Sequence, residues 1–103
     1  MDYSQLSDRD IDALVLQEVY GNQAKDKDIT RAWSRDGFKY TTNPADAWPI
    51  IMENKISIYA AILGDSRGEW GAEASFTEHF HFHNNPLRAA MIVFLMIQEN
   101  QNG

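Results

Sequence analysis

The sequence predicts an α+β domain: a short antiparallel sheet packed by helices from the two ends of the chain, in a small α/β-sandwich-like arrangement. Three observations carry that expectation. Apolar residues recur at helical spacing across 8–20, two strand-like runs flank a glycine-bounded turn in the hairpin 56–76, and residues 89–97 are apolar without a break. A chain of 103 residues can build one core, and the whole of 1–103 is expected to be a single globular domain.

The first helix is expected from Asp8 to Tyr20. Ser7 is its cap, with Asp10 in the place of the usual Glu or Gln of a capping box, and Leu6 and Ile11 stand at hydrophobic-staple spacing. Ile11, Leu14, Val15 and Val19 form the inward stripe, Asp8 and Asp10 suit the positive end of the helix dipole, and Gly21 ends the run. Residues 21–42 show no sustained period and read as a solvated loop, with a short helical turn at Ile29–Ser34 and Trp33 as its anchor. Phe38 and Tyr40 alternate around Lys39, which suggests an extended segment or a short edge strand.

Asn43-Pro44 opens a second helix, since Asn is a good cap and proline at the first helical position gives up nothing. Pro49 lies inside it, so either a kink or a restart is expected there, with the helix ending near Asn54 or Lys55. Ile56 to Leu63 is rich in strand formers, Gly64-Asp65-Ser66-Arg67-Gly68 is turn chemistry, and Trp70, Ala72, Ala74 and Phe76 share one parity of a second strand. Phe80 and Phe82 extend the pattern to a third strand or extended segment. Asn85-Pro86 repeats the cap logic for the last helix, whose apolar run covers its whole circumference and needs cover on several sides, from its own domain or from another subunit. The expected core is Leu14, Val15, Ile50, Ile58, Trp70, Met91, Phe94 and Leu95.

Composition narrows function by exclusion. A formal net charge of -6 argues against binding nucleic acid through its phosphates, which takes clustered Lys and Arg. With no cysteine there is neither a disulfide framework nor a thiolate zinc site. Met1-Asp2-Tyr3-Ser4 has no basic or apolar signal region, and the 89–97 run falls short of the roughly 20 residues a bilayer span needs, so a cytoplasmic protein without membrane contact is expected.

His79, His81 and His83 are the most conspicuous cluster. Alternate strand residues lie about 6.5–7 Å apart, so His79 and His81 could share a metal ion with Glu73 or Glu78, but three consecutive alternates cannot ligate one ion. The competing reading turns Phe80 and Phe82 to the core and the histidines to solvent, and no metal or other cofactor is expected. No nucleophile elbow, phosphate loop or spaced acid–base pair is present, which argues against an enzyme. A candidate ligand or partner site gathers Asp46, Trp48, Asn54, Trp70, Asn85 and Arg88. Each has an ordinary structural use: Asn85 as a cap, Asp46 at a helix start, Trp48 and Trp70 as core pieces. Arg88 stands where the helix dipole disfavours a cation, so it calls for an acidic partner or a ligand.

Residues 1–8, 43–58 and 85–95 resemble the NinX-like family of small phage proteins, through Met1-Asp2-Tyr3-Ser4-Gln5-Leu6-Ser7-Asp8, Asn43-Pro44-Ala45-Asp46-Ala47-Trp48-Pro49-Ile50 and its continuation to Ile58, and Asn85-Pro86-Leu87-Arg88-Ala89-Ala90-Met91 and its continuation to Leu95. The resemblance implies an origin in the nin region of lambda-like phages or prophages and action in the bacterial cytoplasm, and it carries no catalytic residues to assign. The expectation is a non-enzymatic accessory protein that binds a host or phage protein and forms a homo-oligomer. The alternatives are a small-ligand or nucleotide-sequestering module using Trp48, Trp70 and Arg88 around an anionic ligand, and a metal-binding protein using His79 and His81.

Overall fold

The last helix organises the molecule. In the computed structural model, which describes residues 2–21, 38–61, 68–75 and 77–102, it is α3 (Pro86–Asn102). Before it come a 3-10 turn (Tyr3–Gln5), α1 (Asp8–Tyr20), α2 (Pro44–Glu53), β1 (Ile56–Ala60), β2 (Trp70–Ala74) and β3 (Phe80–His83). The strands form one antiparallel sheet in the order β1-β2-β3, so the chain is mixed α+β, as its sequence predicts. The expected helical turn at 29–34, the Trp33 anchor, the turn residues 64–67 and Phe76 lie outside the described residues.

Every residue from Ala89 to Leu95 is at most 5% exposed. A helix buried all round needs cover on several sides, and three elements pack against it: the sheet, α1 and α2. Large apolar side chains are worth about 1.5–3 kcal/mol each when removed from water, so this helix contributes a large share of the burial that holds the fold.

Local chemistry sets the boundaries. The Ser7 hydroxyl accepts the Asp10 N–H at 3.1 Å, and α1 stops at Gly21, whose positive φ (63°) suits glycine. Ile11, Val15 and Leu16 are fully buried, Leu14 is half-buried, and Val19, expected on the inward stripe, is 42% exposed. In α2 the helix runs through Pro49 without a restart. Proline there removes a bond to the carbonyl of Ala45, an exposed residue whose carbonyl can turn to water. Asn54 ends α2 by donating its side-chain amide to the Ile50 carbonyl at 2.8 Å. Lys55 then takes φ 56°, turning the chain into β1.

Several expectations are corrected here. Phe38 and Tyr40 form no strand: Tyr40 to Thr42 is a turn, because the Thr41 N–H goes to Asp12 Oδ1 at 2.8 Å instead of a ladder partner. The two faces of β3 are also the reverse of the core-facing phenylalanine reading. Ala72 pairs with His81 and Trp70 with His83, which places both histidines on the face that carries buried Ala72 and Ala74. Phe80 and Phe82 pair with Glu73 and Gly71 and project from the opposite face. Gly71 makes this fit, since a Cβ there would come within 2.5 Å of the Tyr59 ring, and Tyr59 meets Phe82 edge-to-face at 6.0 Å. Trp70 is 36% exposed and so is not the core residue expected, because β2 begins with it at the end of the sheet. Ile58 is half-buried, while Val15, Ile50, Met91, Phe94 and Leu95 are in the core.

Lys55 stores avoidable strain, since a side chain in the left-handed region costs on the order of 1 kcal/mol. Lys55→Gly should raise the free energy of unfolding by about 0.5–1 kcal/mol in urea titration, while Lys55→Val should lower it.

Candidate functional site

Arg88, the residue capping cannot explain, sits in the first turn of α3 with its side chain 6% exposed. Its guanidinium closes the amino-terminal segment onto the helix. Nη1 donates to Asp8 Oδ1 at 2.7 Å, while Nη2 donates to the carbonyls of Leu6 at 2.6 Å and Tyr3 at 3.3 Å. Asp8 thus both suits the start of α1 and neutralises the cation. Only Nε has no hydrogen-bond partner. The planar fork of Arg reaches these acceptors from two separate nitrogens, as the single nitrogen of a lysine ammonium cannot.

Asn85 caps α3 through Oδ1, which accepts from Leu87 N at 3.0 Å and Arg88 N at 3.3 Å. Its Nδ2 donates to the Thr41 carbonyl at 2.7 Å, and Thr41 N donates to Asp12, so one chain of bonds ties α3 to α1. Desolvation raises the Asp12 carboxyl above its ordinary range, partly opposed by the bond from Thr41.

The histidines lie beside this clamp. His83 Nδ1 accepts the Asn85 N–H at 2.9 Å, which fixes the lone pair on that nitrogen and favours the neutral ring. Burial depresses the His83 pKa and the nearby Arg88 charge adds to it, against an opposing pull from Asp8. Burial also depresses His81, followed by the charges of His83 and Arg88, with Asp2 opposing. His79 precedes β3, and its carbonyl accepts from Ala74 N. Among the described residues no three His, Cys, Asp or Glu groups are placed to hold a metal ion.

The remaining candidates are scattered, not convergent. Asp46, in the first turn of α2, accepts the Lys39 N–H at 3.0 Å, and Asn54 is that helix's cap. Trp48 points outward and is 53% exposed, so it is not a core piece. Two surfaces escaped the sequence reading. Met52, 59% exposed, adjoins Trp48 on the outer side of α2, and Tyr59, Phe82 and Phe80 form an aromatic row on the outer face of the sheet. The even spacing of 80 and 82 was a usable signal, but parity alone does not say which face is inside. A shallow cleft of about 360 Å³ runs from Glu78, His79 and Phe80 to Met96, Glu99 and Asn100.

Arg88→Met should cost about 2–4 kcal/mol in urea denaturation, because it leaves the Leu6 carbonyl and Asp8 without this donor and takes one of two donors from the Tyr3 carbonyl; Arg88→Lys should recover only part. Because the folded-state pKa values of His81 and His83 lie below 6.5, the unfolded chain takes up protons first. The stability these residues confer is therefore complete above about pH 6.5 and lost as pH falls through their folded-state values. Unfolding free energy should drop between pH 7 and 5.5, with a shallower slope in His81→Gln/His83→Gln.

The family model described as "Bacteriophage P22, NinX" matches residues 2–98. Comparison with curated proteins and with solved structures returned no match. Among the described residues no helix is long and apolar enough to cross a membrane. A match over almost the whole chain, including the Arg88 clamp and both Asn-Pro helix starts, shows that this protein belongs to the NinX family of phage proteins.

Proposed function

We propose that the protein is a phage accessory factor that acts in the bacterial cytoplasm by binding another protein, of phage or host origin, and performs no catalysis. The supporting observation is the outer face of the sheet. The wet face of an antiparallel sheet is normally polar. Here Tyr59 and Phe80 are 36% and 49% exposed beside half-buried Phe82. Exposed aromatic clusters of this kind supply the anchors of protein–protein contacts. A net charge of -6 favours a protein partner over nucleic acid. The nucleotide-sequestering alternative gains nothing from the geometry, because the guanidinium of Arg88 is turned into the fold and its Nη donors are taken by Asp8, Tyr3 and Leu6.

The test is capture from extract of the host bacterium on immobilised untagged protein, with wild type beside Phe80→Glu and Tyr59→Ser. Wild type should retain a defined protein that both variants retain about tenfold less, at unchanged thermal stability. Equal capture by all three would defeat this reading.

A further inference from the structure

The β1 edge of the sheet is open to another strand. Bonds from Ala61 N to the Glu69 carbonyl at 2.8 Å and from Ser75 N to the Lys55 carbonyl at 3.2 Å fix the ladder between β1 and β2. They assign the N–H and C=O groups of Ser57 and Tyr59 to β2. Those of Ile56, Ile58 and Ala60 point the other way, and among the described residues no backbone group pairs with them. Exposed edges are ordinarily guarded by a charge, a proline or a bulge. Ile56-Ser57-Ile58-Tyr59-Ala60 contains no charge and no proline, and its register against β2 runs without a bulge. On the outer face no large side chain overhangs the edge. The Tyr59 ring lies over Gly71 and meets Phe82, on the side of β2, and Ser57 is small.

A row of backbone donors and acceptors specifies an extended strand as its occupant, and the side chains specify whose. We infer that β1 pairs antiparallel with β1 of a second copy of this chain, about a two-fold axis at Ile58. This register overlaps the whole five-residue strand with itself. Ile58 meets its counterpart, Ile56 meets Ala60 of the other copy, and Ser57 meets Tyr59. Away from the axis each large side chain thus faces a small one. All the edge N–H and C=O groups of 56, 58 and 60 are used, because these residues lie opposite 60, 58 and 56. A two-fold axis also brings any charge on the strand near its own copy, and on a chain of net charge -6 this strand has none. Half-buried Ile58 and exposed Ala60 gain cover on the helix side of the sheet. The product is a six-stranded sheet that carries both aromatic rows on one face.

The experiment is sedimentation equilibrium of the untagged chain from about 5 to 500 μM, a range suited to a small interface. Wild type should move from 11.8 kDa toward twice that mass as concentration rises. Ala60→Pro removes an N–H that β2 does not use, so it should weaken the dimer about tenfold and melt like wild type at the lowest concentration. The chain has no cysteine, so single cysteines report the register independently of how the proline is tolerated. Ile58→Cys stands on the axis with its Cα about 5.5 Å from its counterpart, within disulfide range, whereas Ser57→Cys stands about 7–8 Å from its own. Under mild oxidation Ile58→Cys should form a covalent dimer about tenfold faster than Ser57→Cys. A wild type at monomer mass throughout, an Ala60→Pro variant that dimerises as tightly as wild type, or equal cross-linking at the two positions would overturn the assignment. A monomeric wild type whose capture of a host protein is lost in Ala60→Pro would give the edge to a foreign strand instead. Phe80→Glu separates this contact from the aromatic-face reading: it should dimerise like wild type even though it loses the foreign partner, and its failure to dimerise would count against β1 as the contact.

Discussion

A helix that is apolar on every side cannot lie on a surface, and this constraint shapes the rest of the chain. Residues 89–95 of α3 are buried by a sheet, a flanking helix and a second flanking helix, so no one layer suffices. The polar groups at the start of the helix are consequently drawn inside, where each must find a partner. Asn85 meets this need with its cap and its bond to Thr41, and Arg88 with Asp8 and two carbonyls. Burial of a guanidinium is costly unless its donors are used, and the amino-terminal segment bends over α3 in the shape that uses them.

The helices were legible because their signals are local. A Ser7 cap, a Gly21 stop and two Asn-Pro starts act through the backbone within a few residues, and the structure places helix ends there. The need of Arg88 for an acidic partner was legible for the same reason, since the dipole argument depends only on its position in the helix. Its partner, eighty residues away, was not. Pro49 went unresolved between kink and restart because the outcome depends on whether the freed carbonyl can reach water, a matter of tertiary exposure.

Strand orientation was the main failure, and its cause is physical. A period of two states that neighbours face opposite ways, but not which way is in. Phe82 faces out because Gly71, opposite it, leaves room for aromatic packing with Tyr59. His81 faces the helix side because Ala72, its partner, is small. The same blindness applies to Trp48 and Trp70: size suggests burial, yet both lie at places where the layers end. The candidate site was thus legible as a set of unusual residues, but not as an arrangement.

The Tyr3 hydroxyl donates to Glu99 Oε2 at 2.8 Å, and the low dielectric there pushes the phenol up to about 12. The bond joins positions 96 residues apart. In topological terms the folded body is nearly a closed ring, with its entrance and exit at one corner. Anything attached before Tyr3 or after Glu99 leaves from that corner, and a short linker across it would allow the chain to be reopened elsewhere without crossing the core.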